Sequence, residues 1–278
     1  MVLIENIEKL KEVLFRIKSN GKSIGLVPTM GALHSGHLSL IERAKIECQV
    51  VVVSIFVNPT QFNNQDDLSK YPRTLEADLE LIKDYADIVF APVASEIYPT
   101  PPNEKFHFGA LEEVMEGSSR PGHFNGVAII VKRLFDYINP DKAYFGEKDF
   151  QQLAIIKELV RQCQLDITIV PCPIIREENG LARSSRNQRL SEQEREMASH
   201  VYKILTKSLT LSKEPINSVV SFVKTEINKI PEIKLEYFQI VDDITLQEID
   251  TFSPDQGVVG CIAFYVSDVR LIDNIRYQ

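Results

Sequence analysis

"IGLVPTMGALHSGHLSLIERAKIE", Ile24 to Glu47, is an apolar run that yields to a glycine-containing loop and then to a helical pattern. Ile24–Pro28 is short, apolar and uninterrupted, which predicts a strand covered on both faces, as in a parallel sheet. A helix is predicted to open near Gly36. Between them, Gly31 and Gly36 let backbone N–H groups approach a ligand, and a helix N-terminus favours an anion. His34 and His37 are three apart, so at a helix start both imidazoles project from about the same side. Two such rings can donate hydrogen bonds to a triphosphate and to the charge that grows during displacement at phosphorus. Two other readings stay open at this point: ordinary loop and capping residues, or a metal pair. The metal pair lacks an HExxH or a further His/Cys cluster to complete its coordination shell.

The same design repeats outward. Residues 50–57, 87–91, 141–145 and 167–171 are further short apolar runs rich in β-branched or aromatic residues. Helical patterns lie between them at 37–47, 74–84, 126–138 and 150–163. Strand–helix alternation predicts a Rossmann-like, doubly wound α/β domain over residues 1–174, with ligands beyond the carboxyl ends of the strands. From 175 to 278 the pattern changes to helices followed by strands, which predicts a smaller α+β domain. Ser191–Glu194 is a capping box opening its first helix, Pro215 fits the first turn of a second, and strands follow near 233–241, 258–266 and 269–273. The Arg-rich stretch 176–189 is the expected hinge. "SNGKS" at 19–23 imitates a P-loop, but the required first glycine falls at Arg16 and a strand follows instead of a helix.

Composition narrows the function. Of 278 residues 44% are apolar and 25% charged, with a net charge of −8, and the densest basic cluster is the short one at Arg183–Arg189. A broad basic face for nucleic acid or an anionic membrane is therefore not expected, whereas a small anion can be held locally. No apolar run reaches the roughly 18 residues of a membrane span. The N-terminal residues show helical spacing without a signal-peptide core. Four cysteines, 48, 163, 172 and 261, lack CxxC spacing, so neither a disulfide framework nor a zinc site is implied, and a cytoplasmic setting is expected.

Other segments carry polar chemistry at strand ends. In "SIFVNPTQF", Asn58-Pro59 forces an extended or turn conformation, and Gln61 can hydrogen-bond a hydroxyl or carboxylate of a small substrate. In "YPRTLEADLE", Asp78 and Glu76 lie on a helix near the ligand end of the sheet; such a carboxylate can hold Mg²⁺ through phosphates or belong to a solvated helix face. "SSRPGHFNGVA" offers Arg120 and His123 in a polar loop. In "YFGEKDFQQLA", Asp149 is expected to cap the following helix with Gln152 as its capping-box partner. Lys148, a cation beside that helix start, is at odds with the macrodipole, a conflict that a bound phosphate would remove. Ser184, Ser185 and Arg186 can bind phosphate oxygens through hydroxyl, backbone and guanidinium donors, and on a flexible hinge they can close as a lid.

Taken in order, PTMGALHSGH, SIFVNPTQF, YPRT, RPGHFNGVA, FGEKDFQQL and SSRN resemble the pantoate–β-alanine ligase family of the HxGH nucleotidyltransferase superfamily. The resemblance implies an enzyme that joins (R)-pantoate to β-alanine through a pantoyl adenylate, with release of pyrophosphate and AMP. It implies an ATP site of Met30, Gly31, Ala32, Leu33, His34, Ser35, Gly36, His37, Gly146, Glu147, Lys148, Asp149, Ile175, Arg183, Ser184, Ser185 and Arg186. His37, His34, Lys148 and Arg186 would be catalytic. Gln61 would bind pantoate and β-alanine, Gln152 pantoate, and Asp78 Mg²⁺. A homodimer is implied as well, with ATP- and pantoate-binding in the first domain and a lid in the second. Arg183 departs from the family, where this position is usually apolar: little changes if it acts through its backbone, whereas lid closure is in question if its side chain packs under the nucleotide. Two rival readings are an HxGH enzyme transferring adenylyl to a phosphate acceptor and a non-catalytic nucleotide sensor.

Overall fold

A computed structural model describes residues 1–278. The chain divides into two compact units. The first comprises 1–108, 120–147 and 155–173; the second takes 174–278 together with 109–119 and 148–154, two stretches that the sequence reading left in the first domain.

The first unit is built on six parallel strands: β1 (Val2–Ile4), β2 (Ile24–Thr29), β3 (Val50–Ile55), β4 (Ile88–Phe90), β5 (Lys142–Gly146) and β6 (Thr168–Cys172), in the spatial order β1-β4-β3-β2-β5-β6. Val51, Val52 and Val53 are all fully buried, as expected of a central strand covered on both faces. The helices α1 (Ile7–Ser19), α2 (Ser35–Glu47), α3 (Gln65–Lys70), α4 (Leu75–Ile82) and α5 (Ala94–Ile97) are followed by α6 (Met115–Ser119), which belongs to the second unit, and by α7 (His123–Ile138). Val2–Ile4 corrects the purely helical reading of the N-terminus: the helix opens only at Ile7, where the Asn6 side chain accepts from the Lys9 N–H. An edge strand of three residues is too short to show a period.

Strand order fixes where a ligand can meet this sheet. The chain winds from β2 outward through β3 to β4, then returns to place β5 on the other side of β2. That reversal is the topological switch point, where crevices open beyond the strand ends. Because β2 and β5 are parallel neighbours, paired at Gly25–Lys142 and Leu26–Ala143, the loops that leave them start from the same edge of the sheet. Those loops contain the paired histidines and the Gly146-Glu147 turn.

In the second unit, α8 (Phe150–Gln162, shared with the first unit), α9 (Glu192–Ser208) and α10 (Ile216–Asn228) precede an antiparallel sheet of β7 (Ile233–Asp242), β8 (Val258–Val266) and β9 (Val269–Arg276). Its core joins Val201, Leu205, Val219 and Val223 to Phe238, Ile262 and Phe264. Ser191 and Glu194 make the expected capping box, Ser191 N–H reaching Glu194 Oε2 at 2.8 Å. A second apolar cluster seats Met115 on Val241, Val259 and Cys261. Over it, Arg270 grips Glu116 with two parallel bonds of 2.8 and 2.7 Å while its Nε donates to Glu236 at 2.6 Å, and Tyr237 donates to Glu116 at 2.8 Å. These contacts hold the 109–119 excursion to the C-terminal sheet.

Removing one partner of such a buried pair leaves an uncompensated charge. Arg270→Ala should lower unfolding stability by about 3 kcal/mol, measured by urea denaturation followed by circular dichroism. A loss within about 0.5 kcal/mol, the range of ordinary surface changes, would show that Glu116 is solvated and the clasp is not structural.

Candidate active site

The loop after β2 is organised by a carboxylate. Asp78, on α4, is 3% exposed; its Oδ2 accepts the Ala32 N–H at 2.9 Å and its Oδ1 the Leu33 N–H at 2.8 Å and the Thr74 hydroxyl at 3.1 Å. Burial pushes the Asp78 carboxyl up from its usual range, against the hydrogen bonds that pull it down. Gly31 and Ala32 both hold positive φ, +83° and +49°. For Ala32 that conformation is strained, and the paired bonds to Asp78 keep it there. At Gly31 a Cβ would press on Ile55 and on Asp78 itself.

From Leu33 the chain enters α2 through a capping box made of imidazoles. His34 Nδ1 accepts the Gly36 N–H at 3.1 Å, and His37 Nδ1 accepts the His34 N–H at 3.3 Å. The two rings lie 4.0 Å apart, tilted by 35°. A neutral imidazole whose Nδ1 accepts must have its proton on Nε2. Both rings are thus fixed as Nε2–H donors, side by side at a helix N-terminus, where the helix dipole favours an anion. Of the alternative readings of this pair, the structure shows the capping one, and the caps set both tautomers. The expected cradle of backbone N–H groups is corrected: those of Gly31, Ala32, Leu33, His34 and Gly36 are turned to Thr29 Oγ1, Asp78, His37 and His34.

Gln61 is 9% exposed and ends a 3₁₀ turn, Pro59–Gln61, capped by Asn58. Its Oε1 accepts from Asn58 Nδ2 at 3.0 Å, and its Nε2 faces the Met30 sulfur at 3.0 Å. A thioether is a weak acceptor, so a ligand oxygen can replace it without leaving a costly gap. Asn58, fully buried, also donates to the Gly126 carbonyl and accepts from the Thr60 and Tyr98 hydroxyls. The Gln61 carbonyl is held from the other side: His123 Nδ1 donates to it at 2.8 Å, and Arg120 donates to His123 Nε2 at 3.0 Å. His123 therefore has its proton on Nδ1, opposite to the α2 pair. Gly126 lets α7 approach this turn, since a Cβ there would overlap the Thr60 carbonyl. Asn58, Arg120, His123 and Gly126 were present in the motifs, but their roles run through backbone carbonyls that a sequence does not display.

Glu147–Asp149 form a 3₁₀ turn running straight into α8. Asp149 thus lies inside the helical run, and the capping box expected with Gln152 is corrected. Gln151, not Gln152, is the buried amide: it donates to Leu111 and Val114 carbonyls at 2.8 and 2.9 Å and accepts from the Glu116 N–H at 2.9 Å. Lys148 is mostly covered, and its ammonium stands 3.9 Å from Asp149.

The expected hinge is a structured hairpin followed by a 3₁₀ turn at Ser185–Arg189. Arg183 N–H donates to Ile175 O at 2.9 Å, so two of the predicted nucleotide-facing residues are bonded to each other. The Arg183 guanidinium turns to Glu177, Nη1 standing 3.4 Å from Oε1. Ser184 caps the turn that contains Ser185 and Arg186 by accepting the Arg186 N–H. Arg176 pairs with Asp273, Arg183 with Glu177 and Arg189 with Asp268, so the 176–189 stretch is less basic than its composition.

No group of three or more His, Cys, Asp or Glu side chains is arranged to hold a metal ion. Asp78 presents both oxygens to the protein, so it does not fit a direct Mg²⁺ ligand. No helix is long and apolar enough to cross a membrane.

Comparison with known proteins places these features in a family. Residues 2–276 match the family model described as pantoate-beta-alanine ligase. A pantothenate synthetase of Bacteroides fragilis is 53% identical over 280 residues, all of this chain and 99% of the relative. The crystal structure of pantothenate synthetase from Thermus thermophilus superposes with a TM-score of 0.94 at 38% identity, covering both chains completely. A pantoate-beta-alanine ligase from Francisella tularensis, complexed with beta-gamma ATP and beta-alanine, gives 0.84 at 35% identity over all of this chain and 98% of that one. With its switch-point histidines, its parallel sheet and a family match running nearly end to end, the chain belongs to the pantoate–β-alanine ligase family.

Proposed function

We propose that this chain condenses (R)-pantoate with β-alanine, using ATP, through an enzyme-bound pantoyl adenylate, and releases pyrophosphate and AMP. The observation that carries the reading is the pair of Nε2–H donors at the N-terminus of α2, on the sheet edge that β2 and β5 share. Attack by a carboxylate on the α-phosphorus brings two anions together, so a site must align them and neutralise the growing charge. His34 and His37 supply neutral donors for that charge, with Met30–His37 receiving the nucleotide. Lys148 and Arg186 supply cationic donors, and Gly146–Asp149, Ile175 and Arg183–Arg186 complete the nucleotide contacts. Gln61, whose amide rests on a thioether, takes pantoate and then β-alanine; Gln152 takes pantoate. The amine of β-alanine then attacks the acyl carbon and expels AMP, and water must be excluded until it arrives.

Mg²⁺ is assigned to the phosphate oxygens of ATP, because the carboxylate expected to hold it is committed to Ala32 and Leu33. Asp78 is in this reading a positioning residue for the loop. Support for ATP and β-alanine comes from the Francisella relative, which is complexed with beta-gamma ATP and beta-alanine. The proposal extends, on the family's pattern, to a homodimer, a cytoplasmic setting and a second domain acting as lid.

Pyrophosphate release tests the reaction. Pantoate and ATP alone should give about one equivalent of bound adenylate, with multiple turnovers only when β-alanine is added; turnover without pantoate would overturn the ligase reading. His37→Ala should lower the rate of adenylate formation by about 10²–10³-fold, the scale of losing one transition-state donor, and a near-normal rate would remove that role. Asp78→Asn turns a donor against a backbone N–H, at about 1–3 kcal/mol, so kcat/KM for ATP should fall by roughly 10–100-fold. Raised Mg²⁺ should not restore it. Recovery at high Mg²⁺ would instead make Asp78 a metal ligand.

A further inference from the structure

Two consecutive polar residues, Asp273 and Asn274, interrupt the apolar strand β9 in the sequence "LIDNI", and both are buried, at 6% and 7% exposure. Alternation along a strand would turn one of each successive pair away from the core, and burying polar groups is unfavourable unless they are bonded. Here both are bonded, and both bond to segments with proposed nucleotide-facing residues.

Asp273 takes the Arg176 guanidinium in two parallel bonds, 2.6 Å to Oδ2 and 3.0 Å to Oδ1. Arg176 follows Ile175 directly. Its guanidinium also donates to the Gly180 carbonyl at 3.2 Å and stacks 3.8 Å from the Tyr202 ring, so the 176–182 hairpin is pinned at its base. The same two groups close the open edge of β9: Asp273 Oδ1 accepts the Asn274 N–H at 2.8 Å, and Arg176 donates to the Asn274 carbonyl at 3.3 Å. With its backbone so held, Asn274 directs its side-chain amide at the carbonyl of Lys148, at 3.1 Å. That carbonyl lies in the turn that aims the Lys148 side chain, and the Lys148 charge is close enough to act on Asp273.

We infer that Asn274 is a positioning residue: its amide fixes the Lys148 turn, and through it the ammonium, in register with the hairpin that Arg176 and Asp273 hold. The inference rests on the reading of Lys148 as a phosphate-facing cation. It gives the C-terminal strand a part in the adenylation step.

The experiment is a double-mutant cycle on the full-length protein, with Asn274→Ala, Lys148→Ala and the double variant. Single-turnover formation of pantoyl adenylate is measured, normalised to folded protein from thermal melts. Asn274→Ala should slow adenylation by about 10–100-fold, the scale of a displaced catalytic group, with KM for β-alanine unchanged. In the Lys148→Ala background the same change should cost less than about 2-fold, since a residue acting through Lys148 has nothing left to position. Equal losses in both backgrounds, or a loss that disappears on normalisation, would overturn the inference and leave Asn274 a structural residue. A near-normal rate for Lys148→Ala would instead overturn the underlying reading of Lys148. Asn274→Asp keeps the side-chain shape while removing the donor, and it should reproduce the kinetic loss where the alanine variant folds poorly; a normal adenylation rate in this variant also overturns the inference.

Discussion

One buried carboxylate sets the geometry of the first loop. Asp78 holds two successive N–H groups, those of Ala32 and Leu33, and so stabilises a left-handed alanine that would otherwise relax. The turn it fixes delivers His34 to the cap of α2, and His34 in turn receives its place from His37. Remove the carboxylate and the ring positions lose their reference, though neither ring touches it. A carboxylate 46 residues away in sequence thereby governs, through the backbone, the loop that leads to two imidazoles.

A similar economy of parts recurs around Gln61. Its amide is oriented by Asn58, its carbonyl by His123, and His123 by Arg120. The three histidines of these two networks use opposite tautomers, because backbone N–H groups meet Nδ1 in the α2 pair whereas a carbonyl meets it in His123. Main-chain groups thus decide which ring nitrogen carries the proton. That makes the polarity of each ring a property of the fold, settled before any substrate binds.

Much of this was legible in the sequence for a physical reason. Uninterrupted valines at 50–53 admit little but a doubly covered strand, and Ser191–Glu194 is a local capping box that tertiary contacts do not alter. The strand–glycine–helix pattern at 24–47 was equally plain, and it forms β2, a loop and α2. What stayed hidden were partners far apart in the chain: Asp78 reaching the 32–33 backbone, Gln151 reaching the Leu111 and Val114 carbonyls, and Arg176 finding Asp273. Val2–Ile4 was hidden for another reason, being too short to carry a period. Asp149 looked like a cap because its residue type suits one, yet the 3₁₀ turn before α8 moves the helical start upstream.

The adjacency of β2 and β5 has a consequence for synthesis. The Ile24 N–H donates to Asp141 Oδ2 at 2.6 Å, across 117 residues of chain. At a translation speed of about 5–20 residues per second, β2 waits roughly 6–23 s on the ribosome before its neighbour exists. During that interval one side of a valine-rich ladder offers unpaired backbone groups to any passing strand.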